Sequence, residues 1–336
     1  VRQRISIVFN QPQKSRYDAY HEEKAIYGVL ESVTAVRAAL EELGYDVSLL
    51  PLVPPLEAAK ARLRELDTDL VFNLFEGFGG EPETEAAVPE VLARRRLPFT
   101  GCRADVLRLA LDKVNVKVIL QAAGIATPDF QVLNPHTLPT FRLGFPAVVK
   151  PRRDDASHGI SDASLVRDMA ALKKQVEALS KTYWSGVLVE QFLAGREFNA
   201  TVLGSDSGTV LPVSEIVYKL PPGKPHLLTF AAKWEEDSPE YRGTQAVCPA
   251  DVPAAERQQI AATALLVFQK LVGRGYARVD MRRDERGQLN VIEINPNPDI
   301  SPGAGAAIQA GAAGMSYNDF IGAIVKLELE NKVHAR

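Results

Sequence analysis

The chain has 336 residues, 46% of them hydrophobic and 24% charged, with a formal net charge of −3. That is length enough for two or three domains with cores of their own, in the composition of an ordinary soluble globular protein. The balance offers no electrostatic case for nucleic acid or an anionic membrane, and no run approaches the ~18 apolar residues of a membrane span. Cys102 and Cys248 lie far apart, without metal-ligand spacing, and read as thiols in a reducing cytoplasm. Residues 1–9 read as a strand and not as a signal peptide, so the expectation is a cytoplasmic protein with its initiator Met removed.

The first hundred residues alternate strand and helix. Residues 5–9 form a buried-type strand; Val29, Val33, Val36, Leu40 and Leu43 mark one helical face, closed by Gly44. A strand at 47–50, a helix at 56–66, a strand at 70–74 and a fourth at 98–101 follow. This rhythm implies a parallel sheet covered by helices on both faces. Such sheets take ligands at the carboxyl ends of their strands, where residues 73–80 make a glycine-rich loop holding one acid, Glu76. Asn10-Gln-Pro-Gln13 stands where a dinucleotide fingerprint belongs, and no P-loop pattern occurs, so a nucleotide must be held by other means.

Asp112 reads as the N-cap of a helix over 113–123, ended by Gly124. After Thr127-Pro128 comes a small α+β section. Its parts are a strand at 145–151 presenting Lys150, a polar segment at 152–159, a helix through Leu165, Met169, Leu172, Val176 and Leu179, and a strand at 187–190. Residues 197–203 and 210–217 read as antiparallel strands, and a Pro/Gly-rich loop at 220–229 leads to Phe230-Ala-Ala-Lys-Trp234. A helix at 254–271 precedes a hairpin, and two helices separated at Gly314 finish the chain. The expected domains are 1–111, 112–192 and 193–336, packed around a shared cleft.

The hairpin, residues 275–298, carries Arg278, Asp280 and Arg282 on one face of its first strand, opposite Ala277, Val279 and Met281. On the second strand Val291, Glu293 and Asn295 share a face. With Arg286-Gly287 as the tip, Asp280 lies across from Glu293 and Arg278 across from Asn295. Like charges facing each other destabilise a ladder unless a cation sits between them, and Asp, Glu and Asn oxygens suit Mg²⁺. The stretch therefore reads either as a magnesium–nucleotide site or as an exposed charged ribbon. Lys113, Lys150, Glu190, Glu197 and Lys233 complete a cleft inventory in which lysines serve as point charges for phosphate under a mobile cover.

In order and spacing, several segments together resemble the ATP-grasp superfamily, specifically its D-alanine–D-alanine ligase group. They are Phe72-Asn-Leu-Phe-Glu-Gly-Phe-Gly-Gly-Glu81, Leu97-Pro-Phe-Thr-Gly101, Asp112-Lys113, Ala122-Ala-Gly-Ile-Ala-Thr-Pro128, Val148-Val-Lys-Pro151, Val189-Glu-Gln-Phe-Leu-Ala-Gly-Arg-Glu-Phe198, Tyr276-Ala-Arg-Val-Asp280, Glu293-Ile-Asn295 and Ala313-Gly-Met-Ser316. The resemblance implies an ATP-grasp fold of mixed α/β and α+β class. A parallel-sheet (pre-ATP-grasp) domain would precede central and C-terminal α+β domains that clamp the nucleotide.

The resemblance also implies roles. Lys113 and Lys150 would hold the ATP phosphates, Glu190 would meet the adenosine part, and Glu197 the ribose. Asp280 and Glu293 would bind one Mg²⁺, and Glu293 and Asn295 a second. Ser157 and Gly159 would belong to a loop closing over the phosphates, with Lys233 approaching the γ-phosphate from opposite. The implied activity is ADP-forming ligation of a small-molecule carboxylate to an amine through an acyl phosphate, with Arg278 and N–H groups near Asp299 stabilising the oxyanion. A homodimer is expected from the family alone.

Departures from the family fall at the substrate end. Asn10-Gln-Pro-Gln-Lys-Ser15 replaces the family's Gly-Gly/Ser/Glu motif, and Tyr27 stands where its acid would hold the first D-alanine's ammonium. Glu76 replaces a histidine, and Asp155-Ala-Ser157 replaces Gly-Ser-Ser. Pro298-Asp-Ile-Ser301 replaces Pro-Gly-Met-Thr, and Ala304 replaces a serine that holds the acceptor's carboxylate. Glu76, Tyr27, Asp299, Ser301 and Ala304 are accordingly the candidate substrate residues, for a pair other than two D-alanines. The rival expectations are a true D-alanine–D-alanine ligase and a non-catalytic ATP-binding regulator.

Overall fold

The structure, a computed structural model, describes residues 2–334 apart from 16, 19, 20, 184, 185 and 206. Among the described residues there are three sheets. The first is parallel, with β1 (Arg4–Asn10) between β2 (Asp46–Leu52) and β3 (Leu70–Leu74). Its continuous apolar runs follow from cover on both sides. Ile5 and Ile7 pack with Val33, Val36 and Leu40 of the helix Val29–Glu42, while Val8 and Val71 pack with Leu63, Val88 and Leu92. The expected fourth strand is reduced to a single bridge, Val71 to Phe99. Pro98 has no N–H to give a ladder, and Gly101 turns the chain at φ +93.

The second sheet is built from β4 (Phe130–Leu133), β5 (Ala147–Pro151), β6 (Leu165–Val166) and β7 (Val187–Gln191), in the order β4-β7-β5-β6. Leu172, Val176 and Leu179 of the helix Met169–Thr182 cover its apolar face. That helix starts later than the periodicity predicts. Leu165 and Val166 pair with Val148 and Ala147, and Asp168 caps the helix by accepting the Ala171 N–H at 2.8 Å.

The third sheet contains β8 (Glu197–Gly204), β9 (Thr209–Val210), β10 (Ser214–Tyr218), β11 (Thr244–Val247), β12 (Gly275–Arg283) and β13 (Leu289–Pro296). The order is β11-β10-β8-β12-β13, with β9 also on β8. The strand expected at 210–217 is split in two, with Pro212 in the break. One face packs on the helices Ala254–Leu271, Ala104–Leu111 and Lys113–Ala122. Tyr276, Ile300, Phe320 and Ile324 join Ile5, Ile7 and Phe72 in one core, so the first and third sheets share an apolar contact.

The β12–β13 register sets Asp280 opposite Glu293 and Arg278 opposite Asn295, as the alternation predicts. The tip differs. Met281, Arg282 and Arg283 pair with Val291, Asn290 and Leu289, and a one-residue bulge at Ile292 restores the expected pairing beyond it. Val291 therefore does not share the face of Glu293; it is buried beside Val279 and Met281. Its N–H donates to the Ala126 carbonyl at 2.8 Å, and its carbonyl accepts from the Thr127 hydroxyl at 2.8 Å.

Candidate active site

Two lysines of one helix enter the cleft. Asp112 starts the helix Lys113–Ala122 by accepting the Val114 N–H at 3.1 Å, and Arg152 grips the same carboxylate at 2.8 and 2.6 Å. Lys113 and Lys117, one turn apart, lie on one side. Lys113, 5% exposed, reaches Glu293 at 3.0 Å and Asp155 at 3.2 Å, and donates to the Asp154 carbonyl. Lys117, fully buried, meets one Glu190 oxygen at 2.6 Å and donates to the Thr127 hydroxyl at 2.9 Å. Lys150, from β5, meets the other Glu190 oxygen at 2.8 Å.

Glu190 is thus a shared counter-ion for two buried cations. Burial alone would raise its carboxyl, but Lys117 and Lys150 hold it below the ordinary range; burial pushes Lys117 down. Glu190 was expected against adenosine, whereas both its oxygens face lysines here. Lys117 escaped the sequence reading. Its only signal is a lysine four places after Lys113 in the otherwise apolar run Val116, Val118, Ile119, Leu120.

Across the cleft, the Arg278 guanidinium grips both Asp280 oxygens, at 2.7 and 2.9 Å, and Asn295 Nδ2 donates to Asp280 at 2.9 Å. Lys113, with Lys150 and Lys233 nearby, holds Glu293 well below the usual carboxylate range against its burial. Lys233 comes from the short helix Phe230–Trp234; burial first and then Arg278 lower its ammonium, while Asp280 and Glu293 oppose this. The Asp280–Glu293 pair anticipated from spacing is therefore balanced by cations on both sides. Two carboxylates and an amide on adjacent strands form a hard-oxygen donor set that fits Mg²⁺. Among the described residues no three His, Cys, Asp or Glu side chains converge to hold a metal ion. Further ligands would have to come from water or phosphate.

Glu197 lies at the other end of this face. It accepts from the Tyr218 hydroxyl at 2.8 Å and from Arg282 at 3.0 Å; Arg282 stacks over Phe192 at 4.9 Å and donates to the carbonyls of Gly195 and His226. Tyr218 and Arg282 carry no motif that would have singled them out.

A family model described as D-ala D-ala ligase C-terminus matches residues 119–326. A D-alanine–D-alanine ligase of Alcanivorax borkumensis is 31% identical over 302 residues, covering 90% of this chain and 89% of that protein. The chain belongs to the D-alanine–D-alanine ligase family. An uncharacterised protein of Sinorhizobium fredii is 33% identical over 296 residues, 87% of this chain and 85% of its own. The solved D-alanine–D-alanine ligase from Bacillus anthracis complexed with ATP superimposes with a TM-score of 0.74 at 22% identity, covering 99% of each chain, which shows the ATP-grasp fold. The protein is an ATP-dependent, ADP-forming carboxylate–amine ligase.

In this ligase the two loops expected to cover the phosphates meet each other. Ser157, at φ +62, donates through its hydroxyl to the Leu228 carbonyl at 3.0 Å. Phe230 N–H reaches the Ile160 carbonyl at 2.9 Å, and Trp234 Nε1 reaches that of Ala156 at 3.0 Å. Gly159 has φ +71, and a Cβ there would come within 2.8 Å of Pro151 and 2.9 Å of Tyr183. The N-terminal segment adds a clasp absent from the sequence reading. Tyr17 donates to Asp154 and stacks on His158 at 3.8 Å, while Glu22 accepts the Gly159 N–H at 3.1 Å and bonds His158 Nδ1 at 2.9 Å.

The candidate substrate residues divide. Glu76 and Asp299 line one recess with Asn73, Glu85, Val29 and Ser32; the Ser32 hydroxyl donates to Asp299 at 3.0 Å. Tyr27 does not line it. It is 51% exposed at the end of the short helix Lys24–Tyr27, and the chain enters the recess only from Val29 onward. Ser301 is buried and gives its N–H to Asp299 at 2.8 Å, but it lies outside the lining, as does Ala304, the N-cap of the helix Gly305–Ala312. Glu85 escaped the sequence reading altogether.

Neighbouring protein atoms, and with them the Asp299 carboxylate, push the Glu76 carboxyl upward from 4.5, toward about 8, although the residue itself is exposed. Between those values the folded chain keeps a proton that the unfolded chain has lost, so this group lowers stability as pH rises from 4.5 toward 8. Glu76→Gln should remove that loss. In thermal melts across this interval its Tm should gain steadily on the parent; a pH-independent difference would contradict the shift.

Proposed function

We propose that the cleft between the Lys113/Lys150 side and the β12–β13 face binds Mg-ATP and joins an amino acid or small acid to an amine. The observation that carries this reading is the convergence of Lys113, Lys150 and Lys233 on Glu293, within charge range of Asp280 and Arg278. Phosphoryl transfer asks a protein chiefly for positioning and charge neutralisation. Lys113, Lys150 and Lys233 would lie along the phosphates, and Asp280, Glu293 and Asn295 would hold Mg²⁺ in one or two sites. The bound metal supplies neutralisation of the phosphate oxygens. Glu197, with Tyr218 and Arg282, would face the ribose, and Glu190 would hold Lys117 and Lys150 in place. Ser157 and Gly159 would close over the γ-phosphate and exclude the water that hydrolyses an acyl phosphate.

Once the substrate carboxylate is phosphorylated, attack by the amine puts negative charge on its oxygen. Arg278, oriented by Asp280, is the cation placed to meet it. Arg278→Ala should lower amide formation by about 10²–10³-fold while ATP affinity changes little, as expected when one oxyanion donor is lost. Titration of a nucleotide analogue and mass spectrometry of products, with Mg-ATP and a panel of acids and amines, check both halves. A selective loss of ATP affinity would move Arg278 out of that role.

The proposed division is 1–111, 112–192 and 193–336, supported by one sheet falling within each part, and a cytoplasmic homodimer is the family expectation. A second reading, D-alanine–D-alanine ligation, is favoured by the relatives bearing that name. D-Alanine therefore belongs in the product panel.

A further inference from the structure

Lys113 is assigned to the nucleotide phosphates, yet its ammonium is already fully engaged. A lysine has three N–H donors and no acceptor. Here they meet the Glu293 carboxylate at 3.0 Å, the Asp155 carboxylate at 3.2 Å and the Asp154 carbonyl, and the side chain is only 5% exposed. A phosphate oxygen reaches this cation only by taking the place of one of those oxygens.

The three are not equally easy to displace. Glu293 stands on β13, its position set by the ladder that places it opposite Asp280. The Asp154 carbonyl belongs to a backbone fastened at several points. Tyr17 bonds the Asp154 side chain, Trp234 Nε1 donates to the Ala156 carbonyl at 3.0 Å, and the Ser157 hydroxyl donates to the Leu228 carbonyl at 3.0 Å. The Asp155 side chain has no such anchor. It is 50% exposed, and among the described residues its contact with Lys113 is the one hydrogen bond or ion pair it makes. Turning that side chain into water frees an N–H of the ammonium and leaves the loop backbone where it is. A half-exposed carboxylate recovers most of its hydration on leaving, so little opposes the exchange.

Charge favours the same exchange. A carboxylate in the loop over a polyphosphate repels it. Asp155 lies within charge range of Lys233 as well as bonded to Lys113, so it sits among the cations that the phosphates are to meet.

We infer that Asp155 is a stand-in for phosphate: in the nucleotide-free chain it occupies Lys113, and a nucleotide must displace it to bind. The residue thereby weakens nucleotide binding and acts as an autoinhibitory contact built into the loop. The inference rests on the reading of Lys113 as a phosphate ligand and deepens it. The competing account is a permanent structural partner of Lys113 that stays in place when nucleotide arrives.

Calorimetric titration with ADP, with and without Mg²⁺, compares the full chain with Asp155→Asn, Asp155→Gly and Asp155→Glu. The first two remove the charge, and the third keeps it. Asp155→Asn and Asp155→Gly should each bind Mg-ADP about 3–10-fold more tightly, the scale of removing one partly exposed charge pair as a competitor. Metal-free ADP carries more negative charge and should gain by a larger factor. Asp155→Glu should stay close to the parent. A permanent partner predicts the reverse, weaker binding once Lys113 is less well held. Weaker or unchanged binding in the uncharged variants therefore overturns the inference, and so does an equal gain in Asp155→Glu, which would trace the effect to a loosened loop. Thermal melts identify a variant that fails to fold, and either uncharged variant suffices for the comparison. Absence of ADP binding by the parent removes the phosphate reading of Lys113 together with the inference. ADP binding that neither uncharged variant tightens removes the inference and leaves that reading standing.

Discussion

Glu293→Gln should cost at least about 10³-fold in ADP formation, the scale on which charge positioned at a transferring phosphoryl group acts. The same carboxylate is asked to do two things. It is a ligand of the proposed magnesium face, and it is the closest charge partner of Lys113 at 3.0 Å. Gln keeps the shape and one oxygen but removes the charge. Lys113 would still have Asp155 and the Asp154 carbonyl, so the variant should fold, with a lowered melting temperature and a weaker hold on the Lys113 ammonium. Coupled phosphate-release assays and a thermal melt on the same preparation separate these effects. Near-normal turnover would sink the assignment of the β12–β13 face. Loss of turnover in an unfolded sample would leave only the structural part.

The second large effect belongs to stability. Glu190→Gln should destabilise the chain by about 3–5 kcal/mol, the cost of breaking a buried ion pair by removing one partner. Here one substitution strands two ammonium groups, Lys117 and Lys150, both buried and both pointing at the vacated charge. Lys117→Met should be milder, because Glu190 keeps Lys150. The double variant should recover part of the Glu190→Gln loss, since it leaves one buried cation instead of two. Urea unfolding of the three variants measures this directly. If Glu190→Gln proved as mild as Lys117→Met, Glu190 would not be the shared counter-ion described.

The pattern of what was legible follows from which forces repeat along the chain. Strands and helices with a strict apolar period were readable, as with Val33, Val36 and Leu40 or Val279 and Met281. The facing of Asp280 and Glu293 was readable too, although from a tip one residue out of place. The bulge at Ile292 leaves no periodic trace, because Val291 and Ile292 are equally apolar and only their tertiary partners decide which one turns inward. Lys117 hid in a helix whose neighbours read as core. The clasp of Tyr17 and Glu22 on His158 joins loops more than a hundred positions apart, with no secondary structure to announce the meeting. Glu85 lies in Glu81-Pro-Glu-Thr-Glu85, which reads as a solvated acidic turn, and only the folded chain shows it half-buried in the lining of the recess. Tyr27 was placed by correspondence with a family motif, but the short helix that carries it turns the side chain outward.

The clasp has a thermodynamic consequence. Tyr17 and Glu22 precede the segment that carries Val29 and Ser32 into the recess lined by Glu76 and Asp299, proposed as the substrate end, and they grip the loop that bears Ser157 and Gly159. A ligand that orders either side therefore orders part of what the other ligand needs. Each would raise the affinity of the other by one common factor, because linkage between two sites is reciprocal whichever ligand arrives first. Shortening or loosening the 11–23 segment would then weaken nucleotide and substrate binding together, at a distance from the atoms that touch either of them.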